Sequence, residues 1–165
     1  AGAAETAYVG LAAIEGSGPI AINDCDHAFI TSDLANTVEA LLSSTAGALL
    51  CFRSSSPAYS YIDISDTCEI VGTIEKKVVS PFAIAGCYFF SSAAVYNRLY
   101  KKYITGGNCN YKELFISGLF NMLRSEGGKI LKLDVEQHCA FGTPAELNRI
   151  TNLNFSEYLK WKKEE

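Results

Sequence analysis

Four strand-like segments follow one another at residues 46–53, 59–64, 69–76 and 84–90, with helical patterns on either side. β-Branched and aromatic residues dominate these segments, and Ser54-Ser55-Ser56-Pro57, Ser65-Asp66-Thr67 and Val79-Ser80-Pro81 separate them as turns. A run of strands flanked by helices must bury its apolar faces in layers, so the chain is expected to form one α/β layer structure over residues 1–165. Before the strands, an Ala-rich helical segment at 3–15 ends in Gly16-Ser17-Gly18-Pro19. The apolar run 19–23, predicted as a strand buried on both faces, leads directly into Asp24-Cys25-Asp26-His27. A second helix, capped by Thr31 or Ser32, is expected through Ser43 because Leu34, Val38, Leu41 and Leu42 fall on one stripe.

Beyond the strands, residues 93–104 and 111–126 return to helical spacing, separated by Gly106-Gly107-Asn108. A strand at 129–135 follows Gly127-Gly128. Thr143 with Glu146 three residues later makes a capping box, and Pro144 fits the first helical position, where a missing N–H costs nothing. Residues 155–163 read as a last amphipathic helix. No internal repeat, low-complexity tract or linker interrupts this order.

Charge and composition exclude some partners. A formal charge of −4 and the lack of a clustered Lys/Arg excess argue against a nucleic acid. The longest apolar stretch, 81–90, is too short and too Gly-interrupted to cross a bilayer, and no signal peptide opens the chain, so a soluble protein without a membrane partner is expected. The six cysteines contain no Cys-x-x-Cys pair; Cys25, Cys51 and Cys87 are expected as reduced, buried thiols, which places the protein in the cytoplasm.

The residues with chemical potential are few. Asp24 and Asp26 stand just past a strand, where open α/β sheets bind ligands and where carboxylate oxygens can hold a hard cation facing a phosphate. The same two residues also suit an ordinary turn. His27 and His138 each lie beside a cysteine, but neighbours on a strand point to opposite faces, so His138 and Cys139 do not favour a zinc site. Glu75 can accept from sugar hydroxyls while Lys76 neutralises a phosphate, a pairing that suits a phosphosugar and equally suits a charged strand end meeting water. No Walker A loop, Gly-x-Ser-x-Gly elbow or Cys–His nucleophile pattern can be placed.

Taken in order, these segments resemble the sugar-phosphate nucleotidylyltransferases over residues 1 to about 150. Gly2-Ala3-Ala4-Glu5-Thr6-Ala7 is similar to the family's helix opening, whose main chain approaches the nucleotide base. Asn23-Asp24-Cys25-Asp26 resembles its strand-ending metal segment, and Glu75-Lys76 its Glu-Lys pair, with Lys77 where proline is usual. The run 83–90 resembles the strand whose Gly86 backbone lines the sugar pocket, and Gly142-Thr143-Pro144-Ala145-Glu146-Leu147 resembles the helix start near the end of the catalytic domain. Two departures stand out: Ala140 occupies the place of the family's second metal aspartate, and the glycine-rich loop that cradles the triphosphate is not in the chain.

What the resemblance implies is a Rossmann-like three-layer nucleotidyltransferase (nucleotide-diphospho-sugar transferase-like) fold with a mixed, mostly parallel sheet, truncated at its N-terminus. It implies a transferase that joins a sugar-1-phosphate, or a similar phosphomonoester, to a nucleoside triphosphate with release of pyrophosphate, serving nucleotide-sugar and surface polysaccharide synthesis. In that scheme Asp26, helped by Asp24, holds Mg²⁺, Lys76 faces the sugar phosphate, and Gly2, Ala3, Glu75, Gly86, Gly142 and Thr143 bind substrates. This chain alone is expected not to turn over, and a sheet lacking strands is expected to bury its open edge against a second copy as a homo-oligomer. Two other readings share the features: a metal-dependent glycosyltransferase of related fold, and a noncatalytic nucleotide- or sugar-binding module favoured by Ala140.

Overall fold

A computed structural model describes residues 2–14, 16–32, 34–43, 46–106 and 113–151. In chain order its elements are α1 (Ala3–Leu11), β1 (Ile20–Asn23), β2 (His27–Ile30), α2 (Leu34–Ser43), β3 (Gly47–Arg53), β4 (Tyr61–Ile64), β5 (Ile70–Ile74), β6 (Phe82–Phe90), α3 (Ala93–Thr105), α4 (Ser117–Ser125), β7 (Ile130–Asp134), β8 (Gln137–Ala140) and α5 (Pro144–Thr151).

β6 is apolar from end to end, and every residue after Phe82 is buried. Such a strand needs a covered face on each side, and its period-2 alternation delivers one set of side chains to each. Ile84, Tyr88 and Phe90, with Leu49 and Cys51 of β3, pack against Ala4 and Leu11 of α1, Tyr96 and Leu99 of α3, and Leu119 and Phe120 of α4. Ala85, Cys87 and Phe89, with Ala48 and Leu50 of β3, turn the other way to meet Leu41 of α2. The result is the three-layer α/β arrangement expected, with helices on both faces of one sheet. The Phe90 ring lies 4.8 Å from that of Phe120 and 5.0 Å from that of Tyr96, within the range where aromatic pairs attract beyond simple burial.

The sheet runs β5-β4-β6-β3-β7, with β1 also on β6. β1, β3, β4 and β7 point one way and β5 and β6 the other. The expected mostly parallel sheet therefore holds for strand directions but is corrected for strand pairs: among the described residues only β3–β7 is a parallel pair. Parallel neighbours need a crossover of a dozen or more residues, whereas β3, β4, β5 and β6 are joined by short connections without helices, and β6 opposes each neighbour it touches.

Other expectations change in detail. α1 stops at Leu11, because the N–H groups of Ala12, Ala13 and Ile14 donate to the carbonyls of Val9, Gly10 and Leu11 in tight i−3 turns. β1 is half-exposed rather than buried on both faces, since it lies at an edge and pairs with β6 alone. α4 begins at Ser117, and the segment 155–163 lies outside the described residues, as does Cys109. A two-stranded β2–β8 ribbon, which no sequence pattern announces, lies apart from the main sheet. Cys51 and Cys87 are free and buried, and burial pushes the Cys87 thiol up to about 12; Cys25 is instead exposed, because it falls in the turn after β1. Among the described residues no helix is long and apolar enough to cross a membrane.

Asn121 of α4 covers the outer strand β5. Its Oδ1 accepts from the Thr73 N–H at 2.7 Å and its Nδ2 donates to the Thr73 carbonyl at 3.0 Å, so the side chain replaces a missing strand neighbour. Thr73 is only 6% exposed, and losing these partners would strand its backbone groups. Asn121→Ala is expected to cost about 1–3 kcal/mol in urea unfolding; an unchanged midpoint would mean water takes over both bonds.

Candidate functional site

The hydrogen bonding of β6 opens a notch. Along one edge β3 pairs with it from Phe82 to Phe90. Along the other, β4 takes the beginning, where Tyr61 faces Ala83, and β1 takes the end, from Asn23 opposite Cys87 to Ile20 opposite Phe90. The Ile84 N–H donates to Ser60 just before β4, and the Asp24 N–H donates to the Gly86 carbonyl just after β1, each at 2.8 Å. The chain ends that leave and enter this edge flank a cavity of about 390 Å³ lined by Asp24, Asp26, His27, Glu75, Gly86 and Glu113, together with Ala3, Tyr59, Ser60 and Tyr88.

Gly86 is necessary to that geometry twice over. Its φ of +74° lies in the region L side chains avoid, and a Cβ there would stand 3.0 Å from both Asp24 Oδ2 and His27 Cγ. Asp24 is half-buried beneath it. Burial holds the Asp24 carboxyl above the usual aspartate range, His27 pulls it back down, and the neighbouring charges of Asp26 and Glu75 raise it further. Tyr88, itself buried and held well above the usual phenol range, points its hydroxyl at Asp24 Oδ2 from 3.4 Å. Asp26 reaches across to the segment after β8: a Cβ on Gly142 would lie 2.1 Å from Asp26 Oδ2, so Gly142 leaves the space that this carboxylate fills.

Glu75 closes the other wall. Its Oε2 accepts from the hydroxyls of Ser60 and of Ser117, the latter at 2.8 Å and at the start of α4, where the helix favours a negative charge. Neither bond uses Oε1. Lys76 follows in the left-handed region at φ +52°, a conformation that costs a non-glycine residue roughly 1 kcal/mol or more. Its Nζ lies 5.5 Å from the centre of the Phe115 ring, and Phe115 lines both this cavity and an adjoining one of about 340 Å³ on the far side of Glu75.

Of the residues singled out from the sequence, Ala3, Asp24, Asp26, Glu75 and Gly86 line one cavity. Gly2 backs it: a Cβ at Gly2 would come within 2.7 Å of the Leu114 backbone, beside the lining residue Glu113. Gly142 supports Asp26 from behind, and Lys76 stands across Phe115 rather than among the lining residues. Thr143 acts in the capping box of α5: its N–H and hydroxyl donate to Glu146 Oε2 at 3.0 and 2.9 Å, and its Oγ1 accepts from the Glu146 N–H at 3.3 Å.

The histidines form a pair that the sequence does not disclose. β2 and β8 run antiparallel with His27 opposite Ala140 and Phe29 opposite His138, so the two rings are diagonal neighbours on one face. His27 Nδ1 lies 2.8 Å from His138 Nε2. His138 stacks on Phe52 at 3.8 Å between ring centres, and burial followed by the proximity of His27 lowers it to about 4. Chain spacing sets His138 against Cys139, whereas the fold sets it against His27. Among the described residues no three His, Cys, Asp or Glu side chains are grouped as a metal cage. Asp24 and Asp26 do supply oxygen donors to one cavity, which suits a hard cation that keeps water and substrate oxygens in its remaining positions.

No protein-family model matches the chain, and no curated protein matches it in sequence. Solved structures do match in fold. The nucleoside-diphosphate-sugar pyrophosphorylase of Vibrio cholerae RC9 superposes with a TM-score of 0.76 at 22% identity, covering 92% of this chain and 65% of that one. A Bacillus anthracis structure assigned as a glucose-1-phosphate thymidylyltransferase, in complex with sucrose, superposes with a TM-score of 0.70 at 17% identity, covering 93% of this chain and 63% of that one. The chain thus has the α/β fold of these nucleotidyltransferases and spans less than two thirds of the length of either.

The raised Asp24 carboxyl has a thermodynamic consequence. A group whose folded value lies above its unfolded one favours the fold while protonated, and this contribution is lost as pH rises through the folded value. Asp24→Asn, which cannot ionise and keeps an oxygen for Tyr88, is expected to melt at a higher temperature than wild type at pH 7, with the gap closing towards pH 3. A variant that melts lower at pH 7 would show that the carboxylate is stabilising where it stands.

Proposed function

We propose that this chain carries the sugar-phosphate and cation portion of a nucleotidyltransferase site, and that the complete protein joins a sugar-1-phosphate to a nucleoside triphosphate with release of pyrophosphate. The observation that carries this reading is the collection of Asp24, Asp26, Glu75 and Glu113 around one cavity at the end of a strand. Carboxylates repel a phosphate by themselves, but they accept sugar hydroxyls, and they accept a phosphate once a divalent cation lies between. The fold of the solved nucleotidyltransferases supports the same reaction type.

In this reading Glu75 offers Oε1 to a sugar hydroxyl while Ser60 and Ser117 hold its other oxygen. The Gly86 turn keeps side-chain atoms out of the space the sugar occupies. Asp24 and Asp26 would hold Mg²⁺, which when bound supplies neutralisation of phosphate charge. Lys76, beside Phe115, adds a cation on the sugar-phosphate side, and the main chain at Gly2 and Ala3 meets the base. A sugar-phosphate oxygen then forms a bond to the α-phosphorus as the bond to the β-phosphate oxygen breaks, and pyrophosphate departs; positioning and charge supply the rate. The product is an activated sugar of the kind surface polysaccharide synthesis consumes.

A second reading, a binding module that keeps the fold without turnover, is favoured by Ala140, which is 5% exposed and paired with His27 where the resemblance places an aspartate. Calorimetric titration of α-D-glucose 1-phosphate with MgCl₂ into the chain tests the site both readings share. Asp26→Ala is expected to weaken binding about 10-fold or more, comparable to the loss on omitting Mg²⁺. Equal affinity for wild type and variant would remove Asp26 from the site. Pyrophosphate release by the protein that contains this chain, assayed with each nucleoside triphosphate, separates the enzyme from the module.

A further inference from the structure

His27 lines the same cavity as Asp24 and Asp26, yet the proposed reaction gives it no role. We infer that His27, oriented by His138, presents its Nε2–H to the cavity as a fixed donor for an anionic oxygen of the ligand. The nature of that ligand, a phosphorylated sugar, rests on the reading above.

The 2.8 Å contact between His27 Nδ1 and His138 Nε2 requires one hydrogen between two nitrogens, which leaves three arrangements. His138 can donate to a neutral His27, whose own hydrogen is then on Nε2. A doubly protonated His27 can donate from Nδ1 and again carries a hydrogen on Nε2. In the third, a neutral His27 donates from Nδ1 and turns a bare Nε2 lone pair to the cavity. Asp26 Oδ1 stands 3.8 Å from that Nε2. A lone pair facing this carboxylate is repelled and an N–H is attracted, so the third arrangement is the poorest.

The contact distances also say why the N–H is available. At 3.8 Å, Asp26 is too far for a hydrogen bond, so it orients the Nε2–H without consuming it. Tyr88 and Ser60 already give their hydroxyls to Asp24 and Glu75. His138 is the positioning residue. Its ring is stacked on Phe52 with an interplanar angle of 19° and meets Tyr59 edge-on at 6.0 Å, so it holds the hydrogen bond to His27 in one direction. This arrangement places a donor among carboxylates that by themselves repel an incoming phosphoryl oxygen.

Two measurements test it. Imidazole nitrogen chemical shifts of the wild-type chain at pH 8, assigned with His27→Gln and His138→Gln, should give a protonated nitrogen at His27 Nε2; a lone pair at that atom overturns the inference. In titrations of α-D-glucose 1-phosphate with Mg²⁺, His138→Phe, which keeps the stack on Phe52 but cannot donate, should bind about 10-fold more weakly than wild type, whereas His138→Gln, which restores an amide N–H, should recover most of that loss. Equal affinities for the folded His138→Phe variant and wild type would also overturn it. Absence of binding by wild type would instead overturn the phosphosugar reading, and the nitrogen shifts would still uphold or refute the direction of the histidine pair. Should His138→Phe fail to fold, as read by thermal unfolding, the wild-type shifts decide alone.

Discussion

A strand with both edges filled by continuous neighbours leaves no room for a ligand at its middle. β6 has one continuous neighbour, β3, and a second edge divided between β4 and β1. The division falls beside Ala85 and Gly86, and the two chain ends at it carry Ser60 on one side and Asp24 on the other. The core on each face of β6 anchors this edge: Ile84 and Tyr88 are locked to α3 and α4, and Ala85 and Cys87 to α2, so the strand cannot slide to close the notch. A one-residue slip would turn every one of those side chains to the wrong layer. The cavity is thus a consequence of register, and register is a consequence of the apolar run 82–90 being buried on both faces.

Much of this was readable from residue order. The strand run, the helices around it, the placement of Asp24 and Asp26 past a strand end and the capping box at Thr143 all follow from local chemistry, and the structure reproduces each. Strand pairing did not follow. Nothing local to β1 says that it runs against β6 at a half-exposed edge rather than lying as an interior parallel strand, because its Ile-Ala-Ile pattern suits either. The β2–β8 ribbon is not legible in the sequence because each strand is four residues long with mostly intermediate burial, too short for a period to register. With it went the histidine pair, whose members are 111 residues apart. Local spacing reports local neighbours, and these two rings meet only because the segment after β7 folds back onto the turn that follows β1.

The same cavity illustrates a conflict between stability and ligand chemistry. Three of its acidic residues, Asp24, Asp26 and Glu75, lie near enough for the last two to raise the first, and burial adds to the penalty. Tyr88 and His27 offset part of it, Ser60 and Ser117 satisfy Glu75, and Gly142 yields space to Asp26. These supports hold the carboxylates in place. A fold gains nothing by gathering like charges at a strand end, and such groupings are found where a cation or a donor-rich ligand is meant to complete them.

Ala140 sharpens that point. Its methyl group is buried and its backbone pairs with His27, so a carboxylate at this position would add a further buried negative charge on the ribbon that carries that histidine. On the proposed reading, alanine there leaves a cation two aspartates, with the remaining positions going to oxygens that arrive from outside. A divalent ion held by so few protein ligands binds firmly only when phosphate oxygens complete its shell. On the proposed reading, cation and phosphate therefore enter this cavity as mutually dependent ligands, each supplying what the carboxylates and the His27 N–H leave unsatisfied in the other.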